Sequence, residues 1–174
     1  MTIDIRPLRA TDTVTVAGMM RRLASYHGDK TPITAKDFER ICCGSRKLGY
    51  AWVAFDGVKP AGFAVTYDYM DFRNVKRVCR LELLFVEEKL RRRGIGKKLV
   101  GKVVREALDR GCVRFSVVVS KKNPLARDFY RKAGMLQAGA GYVSFSAEGN
   151  VLYRLSDFGK IPNAKTKVDK LIRE

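Results

Sequence analysis

Apolar and polar positions alternate from Thr2 to Leu8, with Ile3 and Ile5 on one side, and this predicts a strand. The spacing then changes. From Thr11, apolar residues at Val14, Val16, Ala17, Met20, Leu23 and Ala24 recur at helical intervals until Gly28 stops them. Thr34 followed by Asp37 carries the sense of a capping box and predicts a short second helix ending near Gly44. Tyr50 to Phe55 and Ala61 to Tyr69 read as strands joined through an Asp56-Gly57 turn. After a polar connection from Asp71 to Lys76, Val78 to Val86 reads as another strand. Ile95, Leu99, Val103, Ala107 and Leu108 line one face of a helix from Gly94 to about Arg110, which Gly111 closes. Val113 to Val119 is a nearly continuous β-branched run, the pattern of a strand covered on both faces. Pro124 opens a helix to Gly134, and Gly141 to Ser146 with Val151 to Leu155 predicts a hairpin around Glu148-Gly149-Asn150. This order argues an α/β fold, a mixed sheet with helices packed on both faces, in one domain over residues 1–155 with a basic tail at 156–174.

The composition narrows the class. With 174 residues, 46% hydrophobic and 10% aromatic, the chain can bury a core, which argues against disorder and against a small disulfide scaffold. No apolar run approaches the roughly 20 residues of a membrane span, and Asp4 and Arg6 interrupt any signal-peptide core, so a cytoplasmic protein is expected. Cys42, Cys43, Cys79 and Cys112 lack metal-ligand spacing and read as reduced, partly buried thiols, so no metal is expected. His27, beside Gly28, reads as a helix-end residue rather than a base.

Charge points to a place. The chain carries 35 Lys and Arg against 18 Asp and Glu, a net +17, and 15 of those cations against 6 acids lie between Leu81 and Gly134. Such a surface attracts phosphates, acidic proteins and nucleic acid without choosing among them. Within it, Arg91-Arg92-Arg93-Gly94-Ile95-Gly96-Lys97-Lys98 stands between a predicted strand and a predicted helix. Gly94 and Gly96 allow a tight turn and close approach of main chain to a ligand, and the helix start offers unpaired N–H groups. The segment is not a Walker A loop, which needs glycine where Arg91 stands and Ser or Thr at Lys98. Nor is it a Rossmann fingerprint, which would need glycine at Leu99.

The pattern Arg91-x-x-Gly94-x-Gly96 resembles the coenzyme A loop of the GNAT N-acetyltransferase superfamily. A second segment, Asn123-Pro124-Leu125-Ala126-Arg127-Asp128-Phe129-Tyr130-Arg131-Lys132-Ala133-Gly134-Met135, is similar to that family's Asn-x-x-Ala-x-x-Phe-Tyr run, with Met135 replacing the usual Phe. The resemblance covers the element order from Thr2 to Leu155 and implies a GNAT-type, mostly antiparallel sheet with acetyl-CoA as cosubstrate. It implies that main-chain groups of Leu84, Phe85 and Val86 pair with the pantetheine arm. Arg92, Arg93, Gly94, Ile95, Gly96 and Lys97 would hold the pyrophosphate, with Lys97, Lys98 or Arg127 on further phosphate oxygens. Asn123 would bond the pantetheine amide, with Ala126 in the same motif. A backbone N–H near Val86 would face the developing oxyanion, and Tyr130 holds the position of the family's general acid.

An amine acceptor is mostly protonated at neutral pH, so some group must take its proton, and Glu82 in the strand is the candidate, directly or through water. Alternation would place Glu82, Leu84 and Val86 on one face. The plainer readings stand beside these: Glu82 as a surface carboxylate paired with Arg80 or Lys89, and Tyr130 as a ring packed under the sheet. The Leu-Glu-x-x-Phe-Val strand is similar to that of diamine and polyamine acetyltransferases, a small-amine reading that requires Glu82, Asp68, Asp71, Glu87 and Glu88 to form an acidic mouth within a positive field. A protein lysine or N-terminus is the alternative acceptor. Outside catalysis, a basic nucleic-acid-binding module or a non-catalytic coenzyme A sensor remains open, as does a homodimer paired through the Val151 strand.

Overall fold

The computed structural model describes residues 2–138 and 143–159. Its elements are β1 (Ile3–Pro7), α1 (Thr13–His27), α2 (Ala35–Cys42), β2 (Tyr50–Asp56), β3 (Lys59–Asp71), β4 (Lys76–Val86), α3 (Ile95–Asp109), β5 (Arg114–Val119), α4 (Pro124–Lys132), β6 (Leu136–Ala138), β7 (Val143–Glu148) and α5 (Gly149–Ser156). Among the described residues the strands form one sheet in the order β1-β2-β3-β4-β5-β7-β6. Only the β4–β5 pair is parallel. That pair needs a crossover, which α3 supplies.

The sheet divides two apolar layers. On one side Leu99, Val100, Val103 and Val104 of α3 pack on Trp52, Ala64, Cys79, Leu81, Phe115 and Val117, with Leu152 and Leu155 of α5 closing the layer. On the other, Val16, Ala17 and Met19 of α1 and Phe38 of α2 cover Val53, Phe63 and Phe85. The Thr34–Asp37 capping box is present, with the Asp37 N–H donating to the Thr34 hydroxyl at 3.3 Å and the Thr34 N–H to the Asp37 carboxylate at 2.9 Å.

Two features depart from the sequence reading. Val151 to Leu155, expected as the second arm of a hairpin, is helical: Glu148 ends β7 and N-caps α5, and Leu152 and Leu155 meet α3 at helical spacing. No strand at Val151 is therefore there to pair with a second copy. The arm that β7 actually pairs with is β6, a three-residue strand. Gly141 and Tyr142, at the start of the expected strand, lie outside the described residues, as do Lys160 onward in the basic tail.

The second departure is in β4. The β3–β4 register shifts so that Thr66 faces Leu81 and Val65 faces Leu83, leaving Glu82 as the extra residue of a bulge. Alternation therefore breaks at Glu82. Cys79 and Leu81 before it, and Leu84 and Val86 after it, all turn to the α3 layer. Glu82 does not simply share the face of Leu84 and Val86.

Candidate active site

The bulge coincides with a split in the sheet. Parallel pairing of β4 with β5 ends at Leu81–Val117, while β5 continues to Val119 against β7. Among the described residues the β5-facing edge of β4 has no strand partner from Glu82 to Val86, so apart from the Val86 carbonyl, which Arg91 holds, its main-chain donors and acceptors are open to an extended ligand.

Two clefts meet at this opening. One, of about 490 Å³, is lined by Glu82, Leu83 and Leu84 of β4, Val117 to Val119 of β5, Tyr130 of α4, and His27, Asp29, Lys30 and Thr31 at and after the end of α1. The other, of about 470 Å³, is lined by Leu84, Phe85, Val86, Arg91, Arg92, Gly94, Ile95, Gly96, Lys97 and Phe129. Leu23, His27, Leu84, Asn123 and Ala126 line both, so the clefts adjoin across the sheet.

The second cleft has the features of an anion cradle. Arg92 (φ 61°) and Gly94 (φ 79°) both adopt left-handed backbone, which turns the loop tightly into α3. Arginine rarely accepts that conformation, and such strain collects at ligand sites. No side chain caps the N-terminus of α3, so its first-turn N–H groups and the positive end of its dipole remain available. The Arg91 Nε donates to the Val86 carbonyl at 3.1 Å, and its guanidinium stands 5.2 Å from the Tyr26 ring, which ties the loop to the end of β4 and to α1. Lys97 Nζ lies 5.4 Å from the Phe158 ring.

Tyr130 sits on the first cleft with its ring 4% exposed, edge-on to Phe129 at 5.0 Å and tilted against Phe145 at 5.7 Å. Burial pushes its hydroxyl pKa well above the ordinary tyrosine value, so it stays protonated throughout the neutral range. Asn123 N-caps α4, its carboxamide oxygen accepting from the Ala126 N–H at 3.0 Å.

The structure thus brings Glu82 and Tyr130 to one cleft and most of the basic loop to the other. Arg93, Lys98 and Arg127 line neither. The acidic mouth that a polyamine acceptor would require around Glu82 does not form among the described residues: Asp68 is held by Arg77 and Arg110, Asp71 by Arg114, and Glu87 by Arg22, and Glu88 lines neither cleft. Among the described residues, Glu82 and Asp29 are the carboxylates on the first cleft. The contribution of Leu23, Tyr26, His27, Asp29, Lys30 and Thr31 was missed by the sequence reading. Its only signal was the termination of an amphipathic helix in a polar loop. Among the described residues no group of three or more His, Cys, Asp or Glu is placed to hold a metal.

A family model described as the acetyltransferase (GNAT) family matches residues 19–135. The chain belongs to the GNAT acetyltransferase family. It is similar to a thialysine N-epsilon-acetyltransferase of Mus musculus, 35% identical over 164 residues that cover 87% of this chain and 96% of the relative. It is also similar to an aminoglycoside N(6')-acetyltransferase type 1 of Salmonella typhimurium, 27% identical over 135 residues, 76% of this chain and 90% of the relative. In fold it resembles the PaiA N-acetyltransferase of Thermoplasma acidophilum solved with coenzyme A, with a TM-score of 0.66 and 17% identity over 86% of this chain and 100% of that one. This GNAT protein is an acetyl-CoA-dependent N-acetyltransferase. The left-handed loop, the uncapped helix start and the open edge of β4 fit a cosubstrate with a pyrophosphate and an amide-bearing arm.

Proposed function

We propose that this enzyme acetylates the primary amine of a small molecule by direct attack within a ternary complex. The observation that carries the reading is the junction of the two clefts at the β4–β5 split, with Glu82 and Tyr130 on the acceptor side of it. Bound acetyl-CoA supplies an acetyl group activated as a thioester, whose C–S bond breaks as the new N–C bond forms. Leu84, Phe85 and Val86 offer the arm the strand edge left open between β4 and β5, where Arg91 already holds the Val86 carbonyl, and Arg91, Arg92, Gly94, Ile95, Gly96 and Lys97 surround the pyrophosphate with N–H donors and positive charge. Glu82 removes the ammonium proton of the acceptor, directly or through water, and Tyr130 returns a proton to the departing sulfur.

The thiols support direct transfer. None of the four cysteines lines either cleft, and burial raises their pKa values, to about 11 for Cys42, about 12 for Cys79 and about 11 for Cys112. A protonated, buried thiol is a poor acetyl carrier. The acceptor names of the relatives, thialysine and aminoglycosides, agree with a small amine.

The test is thiol release from acetyl-CoA across 1,5-diaminopentane, spermidine, lysine, an aminoglycoside and lysine peptides, with the acetylated product identified by mass. Turnover of a free small amine is the expected result. Turnover confined to peptides would replace this reading with a protein acceptor.

A further inference from the structure

The sheet face that carries Val118 on the acceptor cleft continues along β4 and β5 toward the β3–β4 hairpin. Phe115, Val117 and Val119 turn to the α3 layer, so Ser116 and Val118 turn the other way, and so does Arg80, flanked by Cys79 and Leu81. In register, Arg80 stands between Tyr67 on β3 and Ser116 on β5. Arg80 and Ser116 are therefore side by side on one surface, two residues before Glu82 along β4.

Both carry unsatisfied polar atoms. Ser116 is 6% exposed and its hydroxyl has no hydrogen-bond partner among the described residues, and the Nε of Arg80 is also buried without one among them. The Arg80 guanidinium lies 5.8 Å from the Tyr69 ring centroid and makes no ion pair among the described residues. The acids that could have served it, Asp68 and Asp71, are engaged by Arg77, Arg110 and Arg114. A buried donor left without an acceptor costs about 1–3 kcal/mol, and such groups call for a specific partner. A guanidinium N–H beside a hydroxyl suits an oxyanion, above all a carboxylate, which accepts from both.

We propose that Arg80 and Ser116 bind a carboxylate on the acceptor, so that the substrate is an amino-acid-like molecule with its reactive amine at one end and an acid at the other. The inference rests on the small-amine reading above and sharpens it. Arg80 and Ser116 lie outside the residues that line the acceptor cleft, two strand residues or roughly 7 Å of main chain beyond Glu82, so an extended acceptor of at least about five or six bonds, as in lysine, reaches from the cleft onto this face. A net charge of +17 opposes a polyamine more than an amino acid such as lysine, whose carboxylate cancels one of its ammonium charges. The paired state of Asp68, Asp71 and Glu87 removes the acids that a polycation would need.

Lysine, lysinamide and 1,5-diaminopentane test this directly, because they share the amine and differ in the acid. The full chain is expected to favour lysine over both in kcat/KM by about tenfold or more. Arg80→Met should bring the lysine-to-lysinamide ratio close to one, chiefly through KM for lysine, and Ser116→Ala should reduce the ratio in part. Arg80→Lys, which keeps the charge but not the planar fork, should restore some of it. Coenzyme A affinity, followed alongside, reports whether each variant is folded. Equal use of the three amines by the native enzyme, or a ratio untouched by Arg80→Met in a folded variant, overturns the carboxylate site while the small-amine activity stands. Turnover only of a lysine within an acidic peptide overturns both.

Discussion

At Tyr130 a small change separates chemistry from binding. Its hydroxyl is kept protonated by burial, and its ring is fixed between Phe129 and Phe145. Tyr130→Phe removes the proposed proton donor and almost no packing area. Turnover is expected to fall roughly ten- to hundredfold while the dissociation constant of coenzyme A moves little, measured by steady-state kinetics and calorimetry. Unchanged turnover would remove Tyr130 from the acid role. Glu82→Gln should flatten the rising limb of the profile of kcat/KM against pH; a limb that persists in place would move the base elsewhere. The sequence singled out both residues, Tyr130 inside a dense motif and Glu82 within an apolar strand, and the structure places both on one cleft. What the sequence hid was how Glu82 comes to the cleft. A bulge is a property of pairing with β3, and one strand read alone continues to alternate through it.

The elements around the split are held by contacts that allow little change. A Cβ added at Gly62 would lie 2.5 Å from the Phe85 carbonyl oxygen and 3.2 Å from the Val86 Cα, both main-chain atoms of β4. Gly62→Ala must therefore displace the end of the strand proposed to receive the cosubstrate. Its Tm should drop by roughly 3–10 °C and its KM for acetyl-CoA should rise, and a variant with both values unchanged would contradict the close packing. The far end of α3 is held by charge. Asp68 on β3 accepts from Arg110 Nε and Nη2, both at 2.9 Å, and from Arg77 at 3.0 Å. Desolvation pushes the Asp68 carboxyl upward, but the Arg110 hydrogen bonds and the charges of Arg110 and Arg77 outweigh it and hold the pKa below the ordinary value. The unfolded chain binds that proton more readily, so the stabilisation is fully present above the ordinary aspartate value and is lost as pH falls through the lowered one. Asp68→Asn should cost about 2–4 kcal/mol near neutral pH, because half-buried Arg110 loses its counter-charge, and should blunt the acid dependence of Tm below the ordinary aspartate value.

Legibility also varied by element. Long, periodic or capped segments, such as α1, α3 and the Thr34 helix start, were read from their spacing. Val151 to Leu155 was not. Glu148-Gly149-Asn150 has hairpin chemistry, and five residues with apolar positions at Val151, Leu152 and Leu155 satisfy a strand or a helix equally until α3 offers a surface for helical packing. β6 has three residues and no periodicity to detect.

Taken whole, the molecule is a sheet opened along one seam, with a basic, phosphate-suited cleft and an acceptor cleft meeting at the opening. Part of this was visible in the chain, since the arginine and glycine loop stands directly between strand and helix. The walls supplied by α1 and the loop after it depend on tertiary packing and left little local trace. That Leu84 and Asn123 belong to both clefts and no cysteine belongs to either supports the proposal that the two reactants occupy the protein together. The most direct measurement is the initial rate of thiol release with acetyl-CoA and the best amine varied against one another. Intersecting double-reciprocal lines are the predicted result, because transfer through the seam requires a ternary complex. Parallel lines would mean that an acetylated enzyme forms before the amine binds, which would contradict the account.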